Sequence, residues 1–415
     1  IKDKIYSIPT SSVTYECTRK IYKLLGFPIE HIYDKFTSYD LIDKTKNKTL
    51  LKELRDMNFD AIIGNPPYQA ETENTHSKNG QNPRTNIFQH FETFALENSV
   101  KSSALIFPAV RWIHRSGKGL KDFGYKMIND RRLKKLVFFP DATELFDDTE
   151  IADGISIVVT ETSKNSSIFE FEYRKKDILE RLMLNSPNEE LLILNPKDNS
   201  IVNKIKQFVN NQNLKYLHEG IFSRTLFGIE SDFIEKNSDK ARIYNDGDKI
   251  DYDNEIKLLT NDKAGSAGRS RWFVVNKNTI KQNHDFIEKW QVVVSSAHGG
   301  GQEGRDNQIA IIDNYSAFGR SKVALKSFDT KEEAQNFFKY ANSVFVRYAF
   351  LMSDEALSSL GMFVPDLLDY TYRNPIVDFT KNIDVQILEL LGISKSEFEY
   401  MVSLVGDKNL EEKTA

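Results

Sequence analysis

Cysteine is almost absent. Cys17 is the one thiol in 415 residues, which excludes an intrachain disulfide. Long apolar runs are absent as well, since no stretch approaches the roughly 18 consecutive apolar residues of a membrane span. The first residues are charged where a signal peptide needs an apolar core. Together these absences point to a cytoplasmic protein with no membrane partner. Basic charge is not in excess either: a net charge of −4 excludes a chain that holds nucleic acid through its overall charge, so any such surface has to come from local clustering. Ile1 stands where an initiator methionine would be, and is read as lying inside a longer product or after processing. What is present is globular material, 40% hydrophobic and long enough for two or three domains.

One stretch organises the rest. Residues 59–63, Phe-Asp-Ala-Ile-Ile, read as a short buried strand that breaks at Gly64 into the turn Asn65-Pro66-Pro67-Tyr68. The chemistry that fits this turn is methylation of an exocyclic amine. The amino nitrogen of adenine is a poor nucleophile because its lone pair is delocalised into the ring. The Asn65 side-chain oxygen and the Pro66 carbonyl can each accept one amino hydrogen, which favours the pyramidal geometry of the transition state. Two prolines fix φ, so these acceptors are in place before a substrate arrives. Tyr68 can stack on an extruded base, a contact of about 1–3 kcal/mol, set against a flipping cost of a few kcal/mol. The competing reading is a Pro-Pro turn closing a strand, with Tyr68 as core.

This segment resembles motif IV of the amino-methyltransferases that use S-adenosylmethionine, and the residues after it resemble the methylase part of type II restriction-modification enzymes. Phe107-Pro108-Ala109-Val110-Arg111-Trp112, Ser116-Gly117-Lys118-Gly119-Leu120, and Phe139-Pro140-Asp141-Ala142 through Gly154-Ile155 recur in that order in the family. The resemblance implies a γ-type DNA methyltransferase acting on adenine N6, with double-stranded DNA as partner. A restriction endonuclease subunit, or an upstream domain of the same polypeptide, is the further partner it implies. The fold it implies is α/β: a doubly wound methyltransferase sheet, incomplete at its N-terminus, followed by an α+β target-recognition domain. The expected divisions are a catalytic domain over 1–165, connecting elements over 166–200, a recognition domain over 201–380 and a helical segment over 381–415. Asn65, Pro66, Pro67 and Tyr68 become the catalytic set. For S-adenosylmethionine the resemblance assigns Asn65, Phe91 and Asp34, with Lys35 as the alternative alignment for Asp34. Residues 4–8, 10–25 and 31–33 read as a strand-helix-strand unit, the family's second and third strands. The family's first strand and glycine loop do not precede them, and Ser7-Ile8-Pro9 stands where the family has a ribose-binding acid.

Along the remaining chain, residues 69–84 read as a polar loop after the turn, and 86–96 as a helix with Phe88, Phe91 and Phe94 on one face. Strands are expected over 104–107, 136–139, 155–160 and 168–173, followed by helical segments to about 215. Residues 111–135 hold nine Lys or Arg against two Asp, and glycines flank Lys118. The cluster is expected to meet DNA phosphates through Arg111 and Lys118. The carboxylates of 141–153 lack the spacing of a calcium loop, and methyl transfer needs no metal, so no metal site is expected. Beyond residue 200, short β runs surround the glycine loop 297–304. Arg269, Arg271, His298, Arg305 and Arg320 are the expected DNA contacts there. Residues 331–351 read as one helix. Three rival functions stand beside the methyltransferase: an inactive DNA-binding specificity subunit, the methylase half of a bifunctional restriction enzyme, and a protein glutamine or RNA methyltransferase.

Overall fold

Burial alternates along Ser102–Pro108, with Ser103, Leu105 and Phe107 turned into the core, and this strand is the hub of the first unit. The computed structural model describes residues 2–42, 48–71, 84–98, 101–116, 119–147, 151, 153–265, 268–295, 309–352 and 360–406. The chain divides into two units, Ile1–Pro196 and Lys197–Ala415.

In the first unit, helices α1 (Ser12–Leu25) and α2 (Lys48–Asp56) precede strand β1 (Ala61–Gly64). A short hairpin, β2 (Gln69–Glu71) with β3 (Arg84–Asn86), leads into α3 (Phe88–Asn98) and the hub strand β4 (Ser102–Pro108). Then come α4 (Val110–Ile113), α5 (Lys121–Ile128), β5 (Leu133–Phe139), β6 (Ile155–Glu161), β7 (Ile168–Lys175) and β8 (Ile178–Asn185). Among the described residues the sheet has the order β1-β4-β6-β5-β7-β8. It is mixed: β1 with β4 and β5 with β7 are parallel, whereas β6 runs against both of its neighbours and β8 against β7.

α1 begins two residues later than expected, with Ser11 capping the Thr14 amide, and it stops at Gly26 in the left-handed region. The strands expected at 4–8 and 31–33 shrink to a single parallel bridge, Ser7 to Ile32. Pro9 has no N–H with which to extend the ladder. β1 pairs with β4 along one edge and has no partner on the other among the described residues; Ile63 is 78% exposed. The core is aromatic: Phe88 stacks on Phe107 at 5.0 Å, and Trp112 meets Phe107 at 5.7 Å and Phe123 at 5.8 Å. These rings join α3, β4, α4 and α5, and burying each adds about 1.5–3 kcal/mol. Gly124 permits the α4–α5 approach, because a Cβ there would stand 1.9 Å from the Trp112 carbonyl oxygen.

The segment 166–200, expected to connect two domains, instead contributes β7 and β8 to the sheet, and the first unit runs to Pro196. Phe169, Phe171 and Tyr173 bury one face of β7. On its other face the fully buried Glu172 gathers Lys135 at 2.6 Å, Arg181 at 2.9 Å and Arg174, and these cations hold its carboxyl down at about 2. Of these cations Arg181 is the one that β8 supplies.

The second unit opens with α6 (Asp198–Asn211) and contains β9 (Lys215–Tyr216), α7 (Phe233–Lys236), β10 (Ala241–Ile243), β11 (Glu255–Asn261) and β12 (Ser270–Asn276). β13 (Trp290–Ser295), β14 (Ala310–Ile312), β15 (Ser316–Phe318) and β16 (Lys322–Phe328) come next. Among the described residues these strands form the sheets β10-β12-β11-β15 and β14-β13-β16. The helix expected over 331–351 is two, α8 (Lys331–Ala341) and α9 (Val344–Met352). The buried Asp384 carboxylate accepts from the Val344 and Phe345 amides at 3.1 Å each, so α9 has its own N-terminus. β17 (Pro365–Asp366), α10 (Ile383–Leu391) and α11 (Lys395–Val405) complete the unit.

Candidate functional site

β1 delivers the chain to Asn65. Gly64 is the last residue in register with β4, opposite Leu105, and four residues later the Tyr68 carbonyl accepts the Ile87 amide at 3.0 Å. The β2–β3 hairpin begins at once, Gln69 opposite Asn86. The turn is therefore pinned at both ends, with two prolines restricting the chain between them.

Two cavities meet this turn at consecutive residues. The first, of about 430 Å³, is lined by Asn65, Pro66 and Pro67 together with the rings of Tyr6, Phe59 and Phe91. The second, of about 510 Å³, is lined by Tyr68 together with Asn86, Pro108, Arg111, Trp112 and Asp153. Asn65 is exposed, as a residue that must reach a substrate has to be, whereas Tyr68 is half-buried. Burial pushes the Tyr68 hydroxyl up to about 12 against the opposing pull of the Asn65 side chain. Tyr68 therefore stays neutral at any physiological pH and offers a ring rather than a base.

Phe91, 5% exposed on α3, stands in the wall of the first cavity. Asp34 does not. It is exposed, and the adjacent Tyr33 turns inward instead, its hydroxyl 3.3 Å from Met57 Sδ. The Ser7–Ile32 bridge fixes this alternation just before it. The cavity suits S-adenosylmethionine in part. Its rings form an apolar slot for a purine, and the buried Ser38 hydroxyl in its wall has no hydrogen-bond partner among the described residues. No carboxylate of the described residues lines it.

Most of the basic cluster over 111–135 is engaged at home. Arg115 donates to the Glu189 and Glu190 carbonyls at 3.1 and 2.9 Å, Arg132 pairs with Asp130 at 2.7 Å, Lys134 with Glu161 at 2.5 Å and Lys135 with Glu172. Arg111 meets Asp153 at 3.3 Å, while Lys121 and Lys126 are exposed on α5. Lys118 lies outside the described residues, as do His298 and Arg305. In the second unit Asp262 accepts the Arg269 amide at 2.8 Å and lies 3.4 Å from Arg271 Nε; Arg320 pairs with Glu230 at 2.6 Å. These groups share one end of a sheet, because Thr260 is in register with Arg271 and the Gly319 amide donates to Leu259. Asp153 and Tyr6 are the site residues that sequence reasoning missed. Among the described residues, no group of three His, Cys, Asp or Glu is placed to hold a metal ion, and no helix is long and apolar enough to cross a membrane.

Residues 10–146 match the profile of the Eco57I restriction-modification methylase family. An uncharacterized adenine-specific methylase of Mycoplasma pneumoniae is 28% identical over 142 residues, 31% of this chain and 33% of that protein. The type I restriction-modification methyltransferase subunit from Streptococcus thermophilus superposes with a TM-score of 0.29 at 16% identity, over 42% of this chain and 38% of that one. The type IIG restriction endonuclease BpuSI superposes with a TM-score of 0.31 at 10% identity, over 85% and 55%. The chain thus spans about a third of the length of the curated relative it matches. The matched stretch, residues 10–146, holds the Asn65 to Tyr68 turn and is similar to the Eco57I restriction-modification methylase family.

Proposed function

We propose that this protein is a DNA adenine-N6 methyltransferase of a restriction-modification system, with S-adenosylmethionine in the first cavity and an extruded adenine in the second. The observation that carries the reading is the position of the turn: its acceptor residues, Asn65 and Pro66, belong to one cavity and the next aromatic ring, Tyr68, to the other. A transfer between two small molecules needs such a shared wall. Tyr68 stacks on the base, and the Asn65 side-chain oxygen and the Pro66 carbonyl accept the two amino hydrogens. These contacts strengthen as the nitrogen becomes pyramidal, so they favour the transition state over the ground state. Phe91, Phe59 and Tyr6 hold the cofactor's purine, and Ser38 gives it a polar contact. S-adenosylmethionine supplies an electrophilic methyl group when bound. The methylase family of residues 10–146 and the adenine-specific relative support both the chemistry and the substrate.

One rival draws on an observation: a cavity without a carboxylate suits an inactive DNA-binding subunit. Labelled S-adenosylmethionine and duplex DNA, followed by sequencing for N6-methyladenine, separate the two. The full-length protein is expected to methylate adenine, and Asn65→Ala to lose at least about a hundredfold in rate with DNA affinity kept. Undiminished methylation by that variant removes Asn65 from the mechanism, and a wild-type protein that binds DNA without methylating it establishes the rival.

A further inference from the structure

We propose that Arg111, positioned by Asp153, binds the backbone phosphate of the extruded nucleotide at the mouth of the second cavity; this rests on the methyltransferase reading and adds a residue to it. Asp153 fixes Arg111 in two ways. Its backbone carbonyl accepts the Val110 amide at 3.0 Å while the Gly154 carbonyl accepts Ala109 at 3.2 Å, so the start of α4 is docked on this turn. Its carboxylate then lies 3.3 Å from Arg111 Nε. The turn needs glycine: Gly154 has φ +62, and a Cβ there would stand 2.5 Å from the Phe139 carbonyl oxygen.

With Nε facing Asp153 at 3.3 Å, the two terminal guanidinium nitrogens of Arg111 make no hydrogen bond among the described residues. They form a fork of the width that two phosphate oxygens accept. Exposure places them at the rim: the Arg111 side chain is 52% exposed and that of Asp153 only 19%. Arg84 of β3 lines the same cavity, so a second cation stands at the opening. Geometry favours the phosphate over the base. A flipped nucleotide rotates about its backbone, so its ring enters the cavity beside Tyr68 while its phosphate stays outside. Aspartate here holds the fork in one orientation rather than cancelling it, since a pair this exposed is weakly bound and a phosphate can share the cation. Asp153 is a positioning residue.

The test is a double-mutant cycle between protein and DNA, using the full-length enzyme and a duplex with one methylation site. A neutral methylphosphonate replaces the phosphate on either side of the target adenine in turn. At one of these positions the wild type is expected to lose about tenfold in kcat/KM, through KM. Arg111→Gln loses about tenfold on natural DNA and nothing more on the neutral linkage. Asp153→Asn keeps an oxygen opposite Arg111 Nε without the charge and is expected to lose less than threefold, again in KM; Asp153→Ala loses as much as Arg111→Gln. Additive losses, or a wild type indifferent to both neutral linkages, overturn the assignment while leaving the methyltransferase reading intact. A wild type that methylates no duplex overturns both.

Discussion

Glu92 lies fully buried on α3, and among the described residues neither carboxylate oxygen has a hydrogen-bond partner. Burial, with the nearby Asp130, pushes its pKa to about 8 against the opposing pull of Arg132. The native state therefore keeps a proton that the unfolded chain releases near its ordinary value of 4.5. Between those two values the unfolded state binds fewer protons, so stability falls as pH rises, by up to about 1.4 kcal/mol per pH unit, and levels off above pH 8. Glu92→Gln is expected to flatten that slope and to raise the urea midpoint at about pH 8 relative to wild type. A wild type whose midpoint does not change from about pH 5 to pH 8 would show that Glu92 is ionised in the fold. Residues of this kind mark the limit of sequence reading. Asn65 to Tyr68 are legible because four contiguous residues carry the whole geometry of the turn. Asp153 reads as one of several loop carboxylates until α4 docks on it, and the pairing of Arg320 with Glu230 spans 90 positions, beyond any local signal.

At the scale of elements, β1 carries a prediction of its own. Ile62 packs toward the core, but Ile63 points to the other face and is 78% exposed, and the outer edge of β1 is unpaired among the described residues. α1 shows a similar bare stripe, with Val13, Ile21 and Leu24 exposed at 71, 54 and 86%. An open parallel edge beside uncovered apolar side chains is a template for association. Residues 1–415 expressed alone are expected to self-associate, and Ile63→Lys with Leu24→Lys to reduce this by at least about threefold in sedimentation velocity. Oligomers unchanged in the double variant would place the contact elsewhere. Elements were legible where one face alone is apolar: α1, α3, β4 and β6 follow their patterns. β8 was hidden because its residues, Ile-Leu-Glu-Arg-Leu-Met-Leu-Asn, are mostly good helix formers, and the break between α8 and α9 was hidden because the cap that makes it, Asp384, lies 40 residues downstream of Val344.

At the scale of the molecule, the proposed methyltransferase needs a part that any site can use and a part that must differ between sites. On the proposed reading the turn at Asn65 meets only the extruded base, and Arg111 meets a phosphate, which carries no sequence information. That reading predicts that sequence recognition lies in the second unit. There the ends of β11 and β12 and the turn before β16 bring Arg269, Arg271 and Arg320 to one end of a sheet. Asp262 pairs with Arg271 and Glu230 with Arg320, so on the proposed reading a guanine would compete with a carboxylate for each fork. Such competition would sharpen discrimination, since a base offering no bidentate acceptor would not displace the carboxylate. Replacing residues from Lys197 onward with the equivalent unit of a relative that marks a different sequence is expected to move methylation to the relative's site, as mapped by sequencing of modified adenine. Arg320→Ala is expected to cost about 1–3 kcal/mol at one position of the site and to relax it there, leaving the other positions as selective as before. A chimera that stays active and still marks the original sequence would place recognition in the first unit, and the arginines of the second unit would then be surface ion pairs and nothing more.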